Sequence, residues 1–223
     1  MKQIKLLFLL ASASVTGAFA QSNGLTDMSQ SRYAKMANTG IDAVHWTNGF
    51  WGERFNVFSG TSLQSMWNTW NTPEVSHGFR NFEIAAGVCK GEHWGPPFHD
   101  GDMYKWMEGV ASVYAVNKDP ELDKLMDNFI ACVVKAQRAD GYIHTPVVIE
   151  ELNKGIDSHT LADSQQQTVI GTKVGSEDEK GAFANRLNFE TYNLGHLMMA
   201  GIVHHRATGK TTLLDAAVKA TDF

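Results

Sequence analysis

The sequence predicts an all-α protein of stacked αα-hairpins, and three observations carry that prediction. Apolar residues recur at helical spacing along most of the chain. Two hairpins repeat each other at a fixed offset. No strand–helix alternation, G-x-G-x-x-G turn or P-loop occurs. The 223 residues are 43% hydrophobic and 10% aromatic, which suits a folded chain rather than a disordered one.

Taken in order, the first 20 residues read as a signal peptide. Lys2 and Lys5 supply its charge, Leu6 to Leu10 its apolar core, and Ala18-Phe19-Ala20 the cleavage site before Gln21. The apolar run is too short for a membrane anchor. No cysteine adjoins the cleavage site, so an exported chain, periplasmic or secreted, is expected. Residues 21–45 form a polar lead-in.

From Thr61 the pattern turns helical through Leu63, Met66, Trp67 and Trp70, with Pro73 as the stop. Phe79, Phe82, Ala85 and Ala86 mark a short helix over 79–88, and a Gly/Pro-rich loop follows over 91–101. A strong helix begins near Asp102 with Met103, Trp106, Met107, Val110, Val113 and Tyr114 on one face. Asp119-Pro120 then gives an N-cap with proline at the first helical position, ahead of a stripe from Leu122 to Ala136.

Residues 141–146 read as a turn, with Gly141 capping the preceding helix, followed by an extended piece. The polar stretch over 150–184 reads as a long loop. A helix returns near Asn188 and ends at Gly209, and another opens at Thr211. An offset of 92 aligns Gly109 with Gly201, Ala115 with Ala207, Leu122 with Leu214 and Asp123 with Asp215. Such repetition points to a stacked or toroidal α/α architecture. About two hairpins and two leading helices are too few to close a toroid, so a partial one is expected.

Charge narrows the partners. The 19 basic and 24 acidic residues give −5, and loss of Lys2 and Lys5 takes this to −7. Without a basic cluster, neither nucleic acid nor an anionic membrane is an expected partner. Cys89 and Cys132 are the only cysteines and show no metal-site spacing, so no metal is expected in this chain. Cys132, among apolar residues, reads as a small buried hydrophobe.

Three segments could carry chemistry. His99-Asp100-Gly101-Asp102 precedes the strong helix, where the aspartates either cap it or face a ligand. His144 and Thr145 follow the Gly141-Tyr142 turn and could line a pocket. Glu190, Asn193 and His196 share a face at i, i+3 and i+6, either as a solvated row or as a site. Gly195 within that helix suggests close approach by a backbone or ligand, whereas His204-His205-Arg206 reads as surface. Trp67 and Trp70 read as core. Trp46, Trp51 and Trp94 read as loop aromatics able to stack on sugars, so carbohydrate is the natural ligand class.

Five quoted segments occur in an order that resembles a known family. They are Phe50-Trp51; Asn81-Phe82 with Ala85-Ala86-Gly87; His99-Asp100-Gly101-Asp102-Met103-Tyr104-Lys105-Trp106-Met107-Glu108; Ala136 to Tyr142; and Glu190-Thr191-Tyr192-Asn193-Leu194-Gly195-His196. Together they resemble the N-terminal part of glycoside hydrolase family 127 and its relative family 146, the β-L-arabinofuranosidase group. The resemblance implies that residues 46–223 are the N-terminal part of an (α/α)6 barrel in a longer protein. It implies a retaining mechanism with a zinc-bound cysteine nucleophile and a glutamate acid/base. Those catalytic groups are expected downstream of Phe223, so zinc belongs to the full-length protein and this chain alone is expected to be inactive.

Asp100, Asp102, His144, Glu190, Tyr192 and His196 are the expected substrate-binding residues, for an oligo- or polysaccharide of plant cell walls. One departure stands out. Phe189 occupies the place where family members often carry a sugar-contacting histidine. That favours, as an alternative, another pectic sugar of the aceric acid type. A non-catalytic glycan-binding scaffold and an α/α hydrolase or lyase of unsaturated uronides are the remaining alternatives.

Overall fold

The computed structural model describes residues 24–156, 183 and 186–223. The segment read as a signal peptide, and residues 157–182 and 184 of the polar stretch, lie outside the described residues. Among those described there are eight α-helices and no strand. They are α1 (Gly49–Val57), α2 (Leu63–Trp70), α3 (Gly78–Ala85), α4 (His99–Asn117), α5 (Pro120–Ala136), α6 (Thr145–Asn153), α7 (Glu190–Thr208) and α8 (Thr212–Asp222).

The two hairpins form as the local sequence dictates. Lys118 adopts a left-handed conformation at the end of α4, and its N–H closes on the Tyr114 carbonyl. Asp119 then accepts the Glu121 N–H at 2.9 Å, with Pro120 at the first position of α5. In the second hairpin Gly209, at φ 79°, ends α7 through its N–H to His205 O. Glycine suits that φ because it has no Cβ to clash. Both leading helices, α4 and α7, are 19 residues long.

The hairpins stand side by side, α4 along α7 and α5 along α8, as in part of an α/α toroid. Gly201 lets α7 and α8 close up, since a Cβ there would meet Leu214 Cα at 3.1 Å and Leu213 O at 3.3 Å. The core runs through Phe82, Met103, Trp106, Met107, Val110, Phe129, Leu197 and Leu213, all buried. Each such side chain contributes roughly 1.5–3 kcal/mol by leaving water. Trp67 stacks on Trp106 at 4.9 Å, and the Trp106 indole N–H donates to Leu63 O.

Several expectations are corrected. Helix α1 was not foreseen; Phe55 packs on the core and Phe58 lies over Gly109 of α4, but Trp51 stays exposed, so its apolar stripe is only half covered. Residues 145–153 are helical rather than extended, because Pro146 sits in the first turn of α6, where its missing N–H costs nothing. Helix α4 starts at His99, which puts Asp100 and Asp102 inside its first turn rather than before it. Gly141 does not cap α5, which ends at Ala136; it makes a separate turn at φ 107° against Lys219 of α8. His204 is fully buried on α7, not at the surface. Gly195 faces open space, and a Cβ there would meet nothing within 4 Å.

Candidate functional site

Helices α4 and α7 begin at the same edge of the bundle, and a polar network ties their starts together. The Gly101 N–H donates to Asn193 Oδ1 at 2.9 Å, and the Asn193 amide donates to Pro97 O at 2.9 Å. One asparagine thereby satisfies a free N–H in the first turn of α4 and fixes the loop before it. A Cβ on Gly101 would meet that same Oδ1 at 2.7 Å, so only glycine fits beneath Asn193.

Asp100 is 1% exposed and binds Thr145 at the start of α6. Its carboxylate accepts the Thr145 N–H at 2.8 Å and hydroxyl at 2.6 Å. His144 Nδ1 lies 3.4 Å from the same carboxylate. Burial opposes ionisation of Asp100, but the hydrogen bonds from His144 and Thr145 outweigh it and hold the carboxyl below its ordinary range. With Nδ1 donating to Asp100, the buried Nε2 of His144 is left without a partner.

Glu190, in the first turn of α7, is likewise buried. Its carboxylate accepts the Tyr142 hydroxyl on one oxygen and the Phe183 N–H at 2.8 Å on the other. Burial and the Glu190 charge push the Tyr142 phenol well above its usual range, which keeps it a donor.

A second, accessible group lies further along α4 and α7. Lys105 pairs with Asp102 at 2.8 Å and donates to the Tyr192 hydroxyl at 2.7 Å. His196 Nδ1 lies 3.4 Å from Glu108 Oε1, and the Tyr192 ring packs edge-on against the His196 imidazole. Burial pushes the Glu108 carboxyl up despite the hydrogen bond from His196. Phe189 precedes α7 in a left-handed conformation, φ 59°, and packs between Phe98 and Tyr192. Backbone strain of this kind in a non-glycine residue is concentrated at functional sites.

The six expected site residues therefore fall into two sets. Asp100, His144 and Glu190 are buried scaffold, with the carboxylate oxygens of Asp100 and Glu190 already engaged and His144 Nδ1 on Asp100. Asp102, Tyr192 and His196 stand on the accessible α4/α7 face with Lys105 and Glu108. The sequence placed Thr145 beside a pocket and Asn193 in a row with Glu190 and His196 but gave neither its partner, and it gave Glu108 no role. The i+3 spacing from Glu190 to Asn193 to His196 was visible, but an asparagine bond between helices has no local signature.

Among the described residues no three His, Cys, Asp or Glu side chains are placed to hold a metal ion. Cys89 and Cys132 are free thiols, both pushed up by burial, so neither offers a thiolate. The described residues do not fit the zinc group that the family resemblance implies.

Carboxylates, an imidazole and aromatic rings gathered at one end of a paired-hairpin α scaffold are groups that can hold a sugar. The chain belongs to the family of β-L-arabinofuranosidase, GH127 catalytic domains, whose model matches residues 43–223. It is 32% identical over 147 residues to the non-reducing end β-L-arabinofuranosidase of Bifidobacterium longum subsp. longum, covering 66% of this chain and 19% of that protein. A solved structure described as a glycoside hydrolase is 66% identical, with a TM-score of 0.56 over 91% of this chain and 22% of its own. A GH127 β-L-arabinofuranosidase from Geobacillus stearothermophilus T6 is 32% identical, with a TM-score of 0.62 over 80% of this chain and 25% of its own. The chain thus spans about a fifth to a quarter of the length of these relatives.

Proposed function

We propose that the full-length protein is an exported glycoside hydrolase that releases β-L-arabinofuranose from plant cell-wall glycans. The observation that carries this reading is the accessible α4/α7 face, where Asp102, Lys105, Glu108, Tyr192 and His196 gather beside the strained Phe189. Sugar hydroxyls take hydrogen bonds from such carboxylates, ammonium groups and imidazoles, and aromatic rings take the C–H face of the sugar. Asp100, His144, Asn193 and Glu190 hold the helix starts in register beneath that face. In this reading the zinc and cysteine chemistry belongs to residues of the full-length protein outside those described.

Phe189 supports a second reading. Phe189 is 38% exposed and its ring lies against Phe98 and Tyr192, giving an apolar wall where family members often carry a hydrogen-bonding histidine. Such a wall suits a pectic sugar with an apolar substituent, of the aceric acid type. The test is hydrolysis by the full-length protein of a β-L-arabinofuranoside and a rhamnogalacturonan II side chain, followed by product analysis. Release of L-arabinose supports the first reading, and release of the branched acidic sugar alone supports the second. Turnover of neither overturns both.

A further inference from the structure

We propose that α1 carries a separate carbohydrate subsite for an acidic sugar residue, a uronate within a glycan chain. The sugar would stack on Trp46 and Trp51 and pair its carboxylate with Arg54. Sequence spacing creates the surface. Trp51, Arg54, Phe55 and Phe58 fall at i, i+3, i+4 and i+7, the spacing that puts four side chains on one helix face.

Such an apolar stripe ordinarily covers a core. Here Trp51 is 65% exposed and Trp46 48%, and with Arg54, Phe55 and Phe58 they line an open cleft of about 220 Å³. An open groove lined by exposed rings suits a ligand that stacks on them. Two ring contacts brace the cleft. The Trp46 ring leans on Phe55 at 5.7 Å, and Trp51 meets Phe50 edge-on at 5.0 Å.

Arg54 supplies the selectivity. Its guanidinium lies over the Phe50 ring at 5.1 Å, and among the described residues it has no ion pair or hydrogen-bond acceptor. A planar fork of donors beside a stacking platform matches a sugar carboxylate, which it can bind bidentately. Glu53 is the nearest acid in sequence, yet it does not line the cleft.

The cleft also has a neighbour. Phe58 is a shared wall with a second cavity of about 290 Å³, lined further by Leu63, Met66, Trp70, Asp102 and Lys105. One aromatic ring therefore separates the Arg54 cleft from the Asp102–Lys105 end of the candidate site. Phe58 opens a turn of π-helix over Phe58–Ser62, a rare geometry that recurs at functional sites. A glycan whose reacting sugar sits on the α4/α7 face could extend past Phe58 and place a uronate here.

The test uses the intact protein with trigalacturonate and its neutral methyl ester as probes, by calorimetry. The acid is expected to bind at least about ten-fold tighter than the ester. Arg54→Gln should abolish that difference, Arg54→Lys should retain part of it, and Trp51→Ala should weaken both probes about ten-fold. Hydrolysis of a small aryl arabinofuranoside should be unchanged in all three variants, so failure of the hydrolase reading would register separately. Equal binding of acid and ester, no binding of the acid, or unaltered binding by Arg54→Gln would overturn the proposal. So would failure of acrylamide to quench Trp51 in the intact protein, judged against Trp51→Phe, because another part of the protein would then cover the cleft.

Discussion

Asp100 at the start of α4 and Thr145 at the start of α6 are joined twice, the carboxylate accepting both the backbone N–H and the hydroxyl of the threonine. Two helices 45 residues apart in sequence are thereby fixed at one buried point. Asp100→Ala removes the acceptor from two buried donors and from His144. It is expected to destabilise the chain by about 2–4 kcal/mol, measured as a shift in urea midpoint. Thr145→Val, which strands only the hydroxyl's share, should cost about 1 kcal/mol. If Asp100→Ala unfolds at the wild-type midpoint, the junction is not structural.

Acid should weaken the fold in a defined window. Burial lowers both His93 and His204 to about 4. The counter-charges are Asp100 near His93, and Asp123 and Asp127 near His204; Lys210 opposes protonation of His204. A histidine whose folded pKa is depressed contributes stability above its unfolded pKa of about 6.5. That contribution is lost as pH falls from about 6.5 toward 4, because the unfolded chain binds the proton more readily. Each group adds a slope of at most about 1.4 kcal/mol per pH unit. His204→Leu, which also removes two buried ring nitrogens without partners, should raise Tm and flatten this limb. A melting series from pH 4 to 7 would show it, and an unchanged slope would count against the assignment.

Two glycines on α7 make opposite predictions. Gly195 faces open space, so Gly195→Ala should stabilise the helix by about 0.5–1 kcal/mol. Gly201 lies against the backbone of α8, and a methyl there must displace Leu214 or Leu213. Gly201→Ala should cost about 1–3 kcal/mol. If Gly195→Ala stabilises the protein yet lowers kcat/KM, a sugar approaches α7 at that point.

The hairpins were legible because their caps and apolar stripes are local. Asp119-Pro120, Gly209 and the offset of 92 all act within a few residues or repeat visibly. Helix α1 was not, since its stripe is short and only Phe55 and Phe58 reach the helices behind it, while Trp51 stays exposed. Residues 145–153 were read as extended although Pro146 suits a first helical turn, because the Asp100 contact that anchors the start of α6 comes from another element. The site was legible as residue types at one end of two helices. Their division into buried and accessible groups was not, because it depends on Tyr142, Thr145 and Asn193 arriving from other elements.

That division gives the sharpest test of the site. His196 and Lys105 are partly accessible, and their partners Glu108, Asp102 and Tyr192 keep contact with solvent. Ion pairs in such settings contribute little to stability, about 0–1 kcal/mol. His196→Ala or Lys105→Ala should therefore shift Tm by less than about 2 °C. Loss of a hydrogen bond to a sugar hydroxyl should cut kcat/KM on a β-L-arabinofuranoside about ten- to a hundredfold in the full-length enzyme. Glu190 should behave in the reverse way. Both of its oxygens accept, one from the buried Tyr142 hydroxyl and one from the part-buried Phe183 N–H, so Glu190→Gln replaces two charge-assisted hydrogen bonds by neutral ones, with the new amide N–H donating to the Tyr142 oxygen. That loss should cost about 1–3 kcal/mol, and kcat/KM should fall only as far as the altered start of α7 disturbs Tyr192. Melting curves and initial rates measured on the three variants together decide the matter. Should His196→Ala lose stability while keeping its rate, or Glu190→Gln lose its rate while keeping its stability, the accessible and buried roles are interchanged.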